Sequence, residues 1–317
     1  MNFKIIGTGS YVPEFTLSND DLANMVETSD EWITQRVGVK TRHISTGEGS
    51  ADFAYEAAKR ALEMSGTSPK DIDLIIVATF TGETLVPTVA GTVQMKLGAT
   101  CPAFDLNTAC SGFIFALDVA CGYFARGKVK KALIIGSERL SKIIDWTDRN
   151  TCVIFGDGAG AAVLEAGENF LASEIYTHGE NEVLYLPSFK GASPFDKKEY
   201  DKPYLFMDGQ ETFKFAVNAI TSNYKAAAES AGVSLSDIAY FVPHQANIRI
   251  IQYAAKRLGV PQEKFFVNID KYGNTSAASV PIALDELNRS GKLKENDLVA
   301  LAAFGGGLSS GACIIKW

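Results

Sequence analysis

The chain has 317 residues, 46% of them hydrophobic, which suffices for one double-size domain or two domains around a large core. A formal net charge of −7, with no long basic tract, argues against a nucleic-acid partner, because phosphate binding needs a concentrated positive patch. No apolar run approaches the roughly eighteen residues of a membrane span. The five cysteines, odd in number and without a CxxC, read as reduced thiols of a cytoplasmic protein, neither a disulfide framework nor a zinc site.

In chain order, NFKIIGTG reads as a strand. Its short apolar run, followed at once by Gly7, Gly9 and Pro13, does not fit a signal peptide. ADFAYEAAKRALEMSG is an amphipathic helix with Ala54, Ala57, Ala58, Ala61 and Leu62 on one face. DIDLIIVAT is a continuous apolar run with polar ends, the pattern of a strand covered on both sides. FDLNTACSGFIFALDVA passes from a strand-like to a helix-like run, with Cys110 at the change. GDGAGAA lacks the GxGxxG spacing and runs into a strand, so it reads as a packing and turn element. The stretch 181–204, rich in Pro, Lys and Asp, reads as an irregular excursion. After it come a helix, ETFKFAVNAITSNYKAAAESAG, a strand, DIAYFVPHQ, and a strand, LVALAA, ending in Gly305, Gly306 and Gly307. Of the three histidines, His43 and His178 fall in loop-like, exposed contexts, and His244 falls at a strand exit.

The two halves resemble each other. AAKRALEMSGTSPKDIDLIIVAT matches NYKAAAESAGVSLSDIAYFVPH, and the stretch from Phe104 to Ser137 matches that from Phe266 to Gly307. Cys110 lies seventeen residues before the Gly-Lys of RGK, and Asn274 seventeen before that of SGK. Many α/β proteins look self-similar, but here helix, strand, turn and spacing agree together. That predicts a duplicated unit, with halves 1–170 and 171–317 sharing one core. In this register Cys110 and Asn274 occupy equivalent strand-to-helix turns.

A thiol at a helix N-terminus meets unpaired N–H groups and partial positive charge, which predicts a lowered pKa and a nucleophile at neutral pH. The plainer reading of a cysteine is a small residue filling a core gap, and it suits Cys121, Cys152 and Cys313. His244, at the exit of a buried strand, faces the edge where α/β sheets bind ligands; a hydrogen-bonded structural histidine is the alternative. Asn274 alone reads equally well as a cap or turn residue. Together the three fall at matching sheet exits. Gly305 to Gly307 suit a loop that brings backbone N–H groups to a reacting oxygen. No Lys-Ser/Thr follows them, which excludes a phosphate loop.

NTACSGF, VPHQANIRI, YGNTSAASVP, FGDGAGAAVL and FGGG, with the early TSDEWI, resemble the β-ketoacyl-acyl carrier protein synthase III family of the thiolase superfamily. The resemblance runs essentially end to end. It implies a duplicated thiolase-like fold in five αβαβα layers, a homodimer, and an initiating condensation of an acyl-CoA primer with malonyl-acyl carrier protein. It gives Cys110 the acyl group, His244 and Asn274 the enolate, and the N–H groups of Cys110 and Gly306 the oxyanion hole. It places Thr28, Trp32, Arg36 and Arg149 at the adenine end of CoA, and Gly209, Phe213, Ala246 and Asn247 along the pantetheine. Lys214, Arg249, Lys256 and Arg257 form the expected docking patch for the acidic carrier protein. Arg249 and Lys256, seven residues apart on a predicted helix, share a face. No metal or other cofactor is implied.

Two positions depart from the family pattern. Val86 precedes Pro87 where an aromatic is frequent, and Ser310 follows the glycines where an aromatic is common; both bear on primer size. Competing readings are a related thiolase-fold acyltransferase or condensing enzyme of secondary metabolism, a Cys–His–Asn hydrolase, and an inactive partner subunit.

Overall fold

A computed structural model describes residues 2–188, 194–197 and 204–317. Strand β1 (Asn2–Tyr11) leads to a two-stranded ribbon, β2 (Thr16–Ser18) and β3 (Thr41–His43), which brackets α1 (Asn19–Ala23) and α2 (Asp30–Arg36). The first half continues with α3 (Ser50–Ser65), β4 (Leu74–Ala78), α4 (Val89–Leu97), β5 (Ala103–Leu106), α5 (Gly112–Ala125), β6 (Lys131–Glu138), α6 (Arg149–Cys152) and β7 (Gly158–Gly167). The second half holds β8 (Phe170–Thr177), the short pair β9 (Leu184–Tyr185) and β10 (Phe206–Met207), α7 (Gly209–Ser230), β11 (Ile238–Pro243), α8 (Ile248–Leu258), α9 (Ile269–Tyr272), α10 (Ser279–Arg289), β12 (Leu298–Gly305) and β13 (Ser309–Lys316).

The period-2 alternation of each central strand feeds two cores. On β4, Ile75 and Val77 pack against Ala54, Ala57, Ala58 and Ala61 of α3, while Leu74 and Ile76 face α5 and α10. On β12, Val299, Leu301 and Ala303 face the same two helices, and Ala300, Ala302 and Phe304 face α7 and α8. Helices α5 and α10 therefore lie between the sheets. The layers run α3 and α4, first sheet, α5 and α10, second sheet, α7 and α8, which is the five-layered duplicated fold expected from the resemblance.

Sheet order repeats the duplication. The first sheet runs β1-β7-β6-β4-β5 and the second β8-β13-β12-β11, and a parallel bridge from Phe241 to Phe265 stands where β5 pairs with β4. The pairs β6–β4, β4–β5 and β12–β11 are parallel, and the remaining pairs are antiparallel in both sheets.

The structure corrects the register. Gly127 and Gly291 do end equivalent helices, with φ of 71° and 70°. However, α5 has 14 residues and α10 has 11, so counting back from those glycines misaligns the helix starts. Aligned at their starts, Gly112 matches Ser279, and the left-handed Ala109 (φ 47°) matches the left-handed Ser276 (φ 50°). Cys110 then matches Ala277, and Asn274 matches Asn107. The two asparagines make the same turn: Asn107 Oδ1 accepts from Ala109 N at 3.2 Å, and Asn274 Oδ1 accepts from Ser276 N at 2.8 Å.

Cys152, fully buried, ends the short helix α6. One smaller expectation also changes. His43 lies in β3, half-buried, with Nδ1 2.6 Å from the Pro13 carbonyl oxygen, so it is not an exposed loop residue. The described part of the 181–204 excursion contains β9 and ends beside β10; 189–193 and 198–203 lie outside the described residues.

Candidate active site

Cys110 sits in a single 3₁₀ turn, Ala109–Ser111, that runs into α5. The matching turn of the other half, Ser276–Ala278, abuts it, and Ser276 donates from Oγ to Cys110 Sγ at 3.2 Å. Asn274 is clamped through its backbone. Its N donates to the Ile154 carbonyl at 2.9 Å, and its own carbonyl accepts from Gly156 N at 3.0 Å. With Oδ1 engaged by Ser276 N, the amide nitrogen is the group left to donate outward. His244 follows β11 directly, held by its N–H on the Ala302 carbonyl at 2.8 Å and by an edge-to-face contact with Phe304 at 5.2 Å. Its Nδ1 is buried without a hydrogen-bond partner.

At the exit of β12, a Cβ on Gly305 would lie 2.7 Å from Cys110 N. Only glycine lets the Gly305-Gly306 backbone approach the cysteine this closely. Cys110, His244, Asn274 and Gly306 all line one cavity of about 930 Å³.

The electrostatics correct one expectation. The Cys110 thiol is not lowered; burial pushes it up to about 12, the Ser276 hydrogen bond opposes the rise, and the Glu138 charge adds to it. Complete desolvation of the anion outweighs the partial charge of the helix start. The same burial holds His244 neutral, its pKa lowered to about 3.

The cavity also takes in Gly209, Phe213, Ala246 and Asn247, expected along the pantetheine, and Trp32, expected at the adenine end. Thr28, Arg36 and Arg149 do not line it, but sit at its Trp32 rim. Arg149 stacks on the Trp32 ring at 5.5 Å and donates to the Glu27 carbonyl at 2.9 Å. Thr28 Oγ1 is without a partner. The Arg36 carbonyl accepts from Asn247 Nδ2 at 3.0 Å, which ties α2 to the start of α8.

The basic residues divide. Arg249 lies over the Phe213 ring at 5.6 Å. Lys256 and Arg257 are exposed on α8, and Arg257 donates to Asn218 Oδ1 at 2.6 Å. Lys214 is paired with Glu211 at 2.6 Å, so its charge is locally offset.

Sequence reasoning missed Ser276, Phe304 and the apolar wall from Leu184 to Leu186 with Met207. Ser276 lay within a quoted motif but was signalled only by its neighbours. The wall comes from a stretch whose composition reads as loop.

The architecture is that of the thiolase-like α/β proteins. Residues 104–179 match the family model for 3-oxoacyl-[acyl-carrier-protein (ACP)] synthase III, and residues 228–317 match the model for its C-terminal region. The chain is 48% identical over 319 residues to the beta-ketoacyl-[acyl-carrier-protein] synthase III of Clostridium acetobutylicum, covering 99% of this chain and 98% of that one. It is 48% identical to the protein of the same name from Caldanaerobacter subterraneus, covering 99% and 97%. A crystal structure of 3-oxoacyl-[acyl-carrier-protein] synthase III from Aquifex aeolicus superposes with a TM-score of 0.92 at 46% identity, covering 99% of this chain and 100% of that one. The chain belongs to the 3-oxoacyl-[acyl-carrier-protein] synthase III family.

Proposed function

We propose that the chain condenses an acyl-CoA primer with malonyl-acyl carrier protein, giving 3-oxoacyl-acyl carrier protein, CoA and CO2, and so initiates fatty-acid synthesis. The observation that carries this is the convergence of Cys110 from one half with His244 and Asn274 from the other on one apolar-walled cavity.

Cys110 Sγ attacks the thioester carbonyl of the primer. The thiol proton leaves with the departing CoA as its thiol, and the acyl group stays on the cysteine. Backbone N–H groups at Cys110 and Gly306 receive the oxyanion. A buried thiol at about 12 has little standing thiolate, so proton loss must accompany attack. The malonyl thioester then places its carbonyl oxygen against His244 and Asn274. Loss of CO2 leaves an enolate, which these two neutral groups stabilise without a proton being transferred to it. The enolate carbon attacks the acyl-cysteine, the sulfur leaves as thiolate and takes up a proton from solvent to restore the thiol, and the 3-oxoacyl product departs on its carrier. The energy of decarboxylation drives the carbon–carbon bond, so the scheme calls for no cofactor beyond the two thioesters.

Trp32 and Arg149 are assigned to the adenine of CoA, which would part their present stack. Thr28 and Arg36 are assigned to the same end. The exposed cations of α8 are assigned to the acidic carrier protein. The outer edge of β5 is unpaired among the described residues, and we assign it to a second copy of the chain, making a homodimer. Substrates of this kind support assigning the enzyme to the cytoplasm.

Mass spectrometry after exposure to a panel of acyl-CoAs tests the reading. One acyl group should appear on Cys110, and the panel member that reacts fastest names the primer. Labelling at Cys121 or Cys152 instead would sink the scheme.

A further inference from the structure

The duplication leaves a second set of strand exits that the proposed chemistry does not use. In it, Ala78 stands where His244 stands, Ala277 where Cys110 stands, and Glu138, the last residue of β6, where Gly305 ends β12. Asn107 alone keeps its type. Glu138 is wholly buried. Its Oε2 accepts from Thr81 Oγ1, from Thr79 Oγ1 at 3.3 Å and from Phe80 N at 3.4 Å, while Oε1 is buried without a partner.

Among the described residues no cation pairs with this carboxyl. Lys142, on the next turn of chain, is turned to the Gly82 carbonyl at 2.8 Å and to Glu83 at 3.9 Å. The neighbouring Arg139 gives Thr81 Oγ1 its backbone N–H at 2.8 Å. Glu83 is occupied at the start of α3, accepting from Ser50 N at 2.7 Å. The Lys142 charge still acts on the carboxyl through space and lowers its pKa, and the Cys110 thiol feels the Glu138 charge.

The segment so held is next to the chemistry. Thr79 N donates to the Leu106 carbonyl at 3.1 Å, four residues before Cys110. Phe80 lines the cavity, and so does Leu85, although it is 83% exposed on the loop that follows. We propose that Glu138 is a positioning residue for the primer: by fixing the Thr79–Thr81 root it sets Phe80 and Leu85 in the cavity wall and so selects primer length. Burial raises its carboxyl to about 8, so the protonated form prevails at neutral pH. Above about pH 8 a charge that Lys142 offsets only in part appears and opposes loss of the Cys110 thiol proton.

The inference rests on the acyl-cysteine reading, and the experiment separates the two. Rates of Cys110 acylation by two-, four- and six-carbon acyl-CoAs are measured across neutral to alkaline pH for wild type, Glu138→Gln and Glu138→Ala, alongside CO2 release from malonyl-acyl carrier protein. No adduct on wild-type Cys110 with any primer defeats the function and not this inference alone. Given wild-type acylation, Glu138→Ala should change the ratio of short to long primers by about tenfold, equivalent to about 1.4 kcal/mol, with CO2 release little altered. Glu138→Gln, neutral at every pH, should keep the wild-type ratio at neutral pH and lose the wild-type's alkaline fall in acylation near pH 8. An unchanged primer ratio in the alanine variant overturns the proposal. Should that variant fail to fold, retention of the alkaline fall in Glu138→Gln overturns it instead.

Discussion

Ser276 Oγ points its hydrogen bond at Cys110 Sγ across 3.2 Å, joining the helix start of one half to that of the other. It is the one side-chain contact that works against the burial of the thiol. Ser276→Ala should therefore raise the thiol further and slow acylation at neutral pH by roughly fivefold, the size of one net hydrogen bond of about 1 kcal/mol. Alkylation of Cys110 by iodoacetamide, followed against pH, checks this without relying on catalysis. The variant's profile should move to higher pH, and an unmoved profile would remove Ser276 from the account.

His244 and Asn274 serve the second half-reaction, so their loss should separate the two. His244→Ala and Asn274→Ala should each lower CO2 release from malonyl-acyl carrier protein by about 10²- to 10³-fold, as removal of an oxyanion donor does, while Cys110 still takes an acyl group. Cys110→Ala should show the converse, with CO2 released and no adduct formed. The imidazole also has a stability signature. Its pKa of about 3 in the folded chain lies below the unfolded value near 6.5, so as pH falls below 6.5 the unfolded chain takes up a proton that the native state refuses. Stability is lost from about pH 6.5 down to about pH 3, by an amount on the order of 5 kcal/mol. His244→Gln should flatten the acid limb of a thermal-melt series.

The residues that needed only local pattern were legible. The continuous apolar run Leu74 to Ala78 marked a strand packed on both faces, and the alanine stripe of α3 marked its buried side. Cys110, His244 and Asn274 stand on one cavity as the resemblance implied. Two features were not legible, because each depends on distance in space. The true repeat register was hidden by three extra residues in α5, which leave its C-terminal glycine in step while shifting its start. The state of the Cys110 thiol was misjudged because a helix start is visible in sequence, whereas complete desolvation is a property of everything packed around it.

Gly305→Ala is the sharpest steric test of the site. The new Cβ would lie 2.7 Å from Cys110 N and 2.8 Å from Cys110 Cβ, both closer than such atoms pack. One of the two backbones must shift, and a displacement of about an ångström in the nucleophile costs on the order of 10²-fold in rate. Acylation and the full condensation should both fall by about that factor, whereas far-ultraviolet circular dichroism should remain that of the wild type. Wild-type acylation in this variant would show that the oxyanion is not received at this strand exit.

The carrier-protein patch predicts unequal effects from four cations. Lys256 and Arg257 are exposed on α8, so Lys256→Glu and Arg257→Glu should each raise the KM for malonyl-acyl carrier protein by about two- to fivefold, the range of exposed charge pairs. The effect should shrink as salt screens it. Arg249→Glu should cost more, because it also removes the packing on Phe213 beside the cavity. Lys214→Glu should cost least, since Glu211 already offsets that charge. None of the three exposed substitutions touches the acyl-CoA step, so acylation of Cys110 serves as the internal control. Steady-state kinetics at low and high salt, with both thioesters varied, decides the order. A Lys214 effect as large as that of Lys256 would place the docking surface on α7 instead of α8.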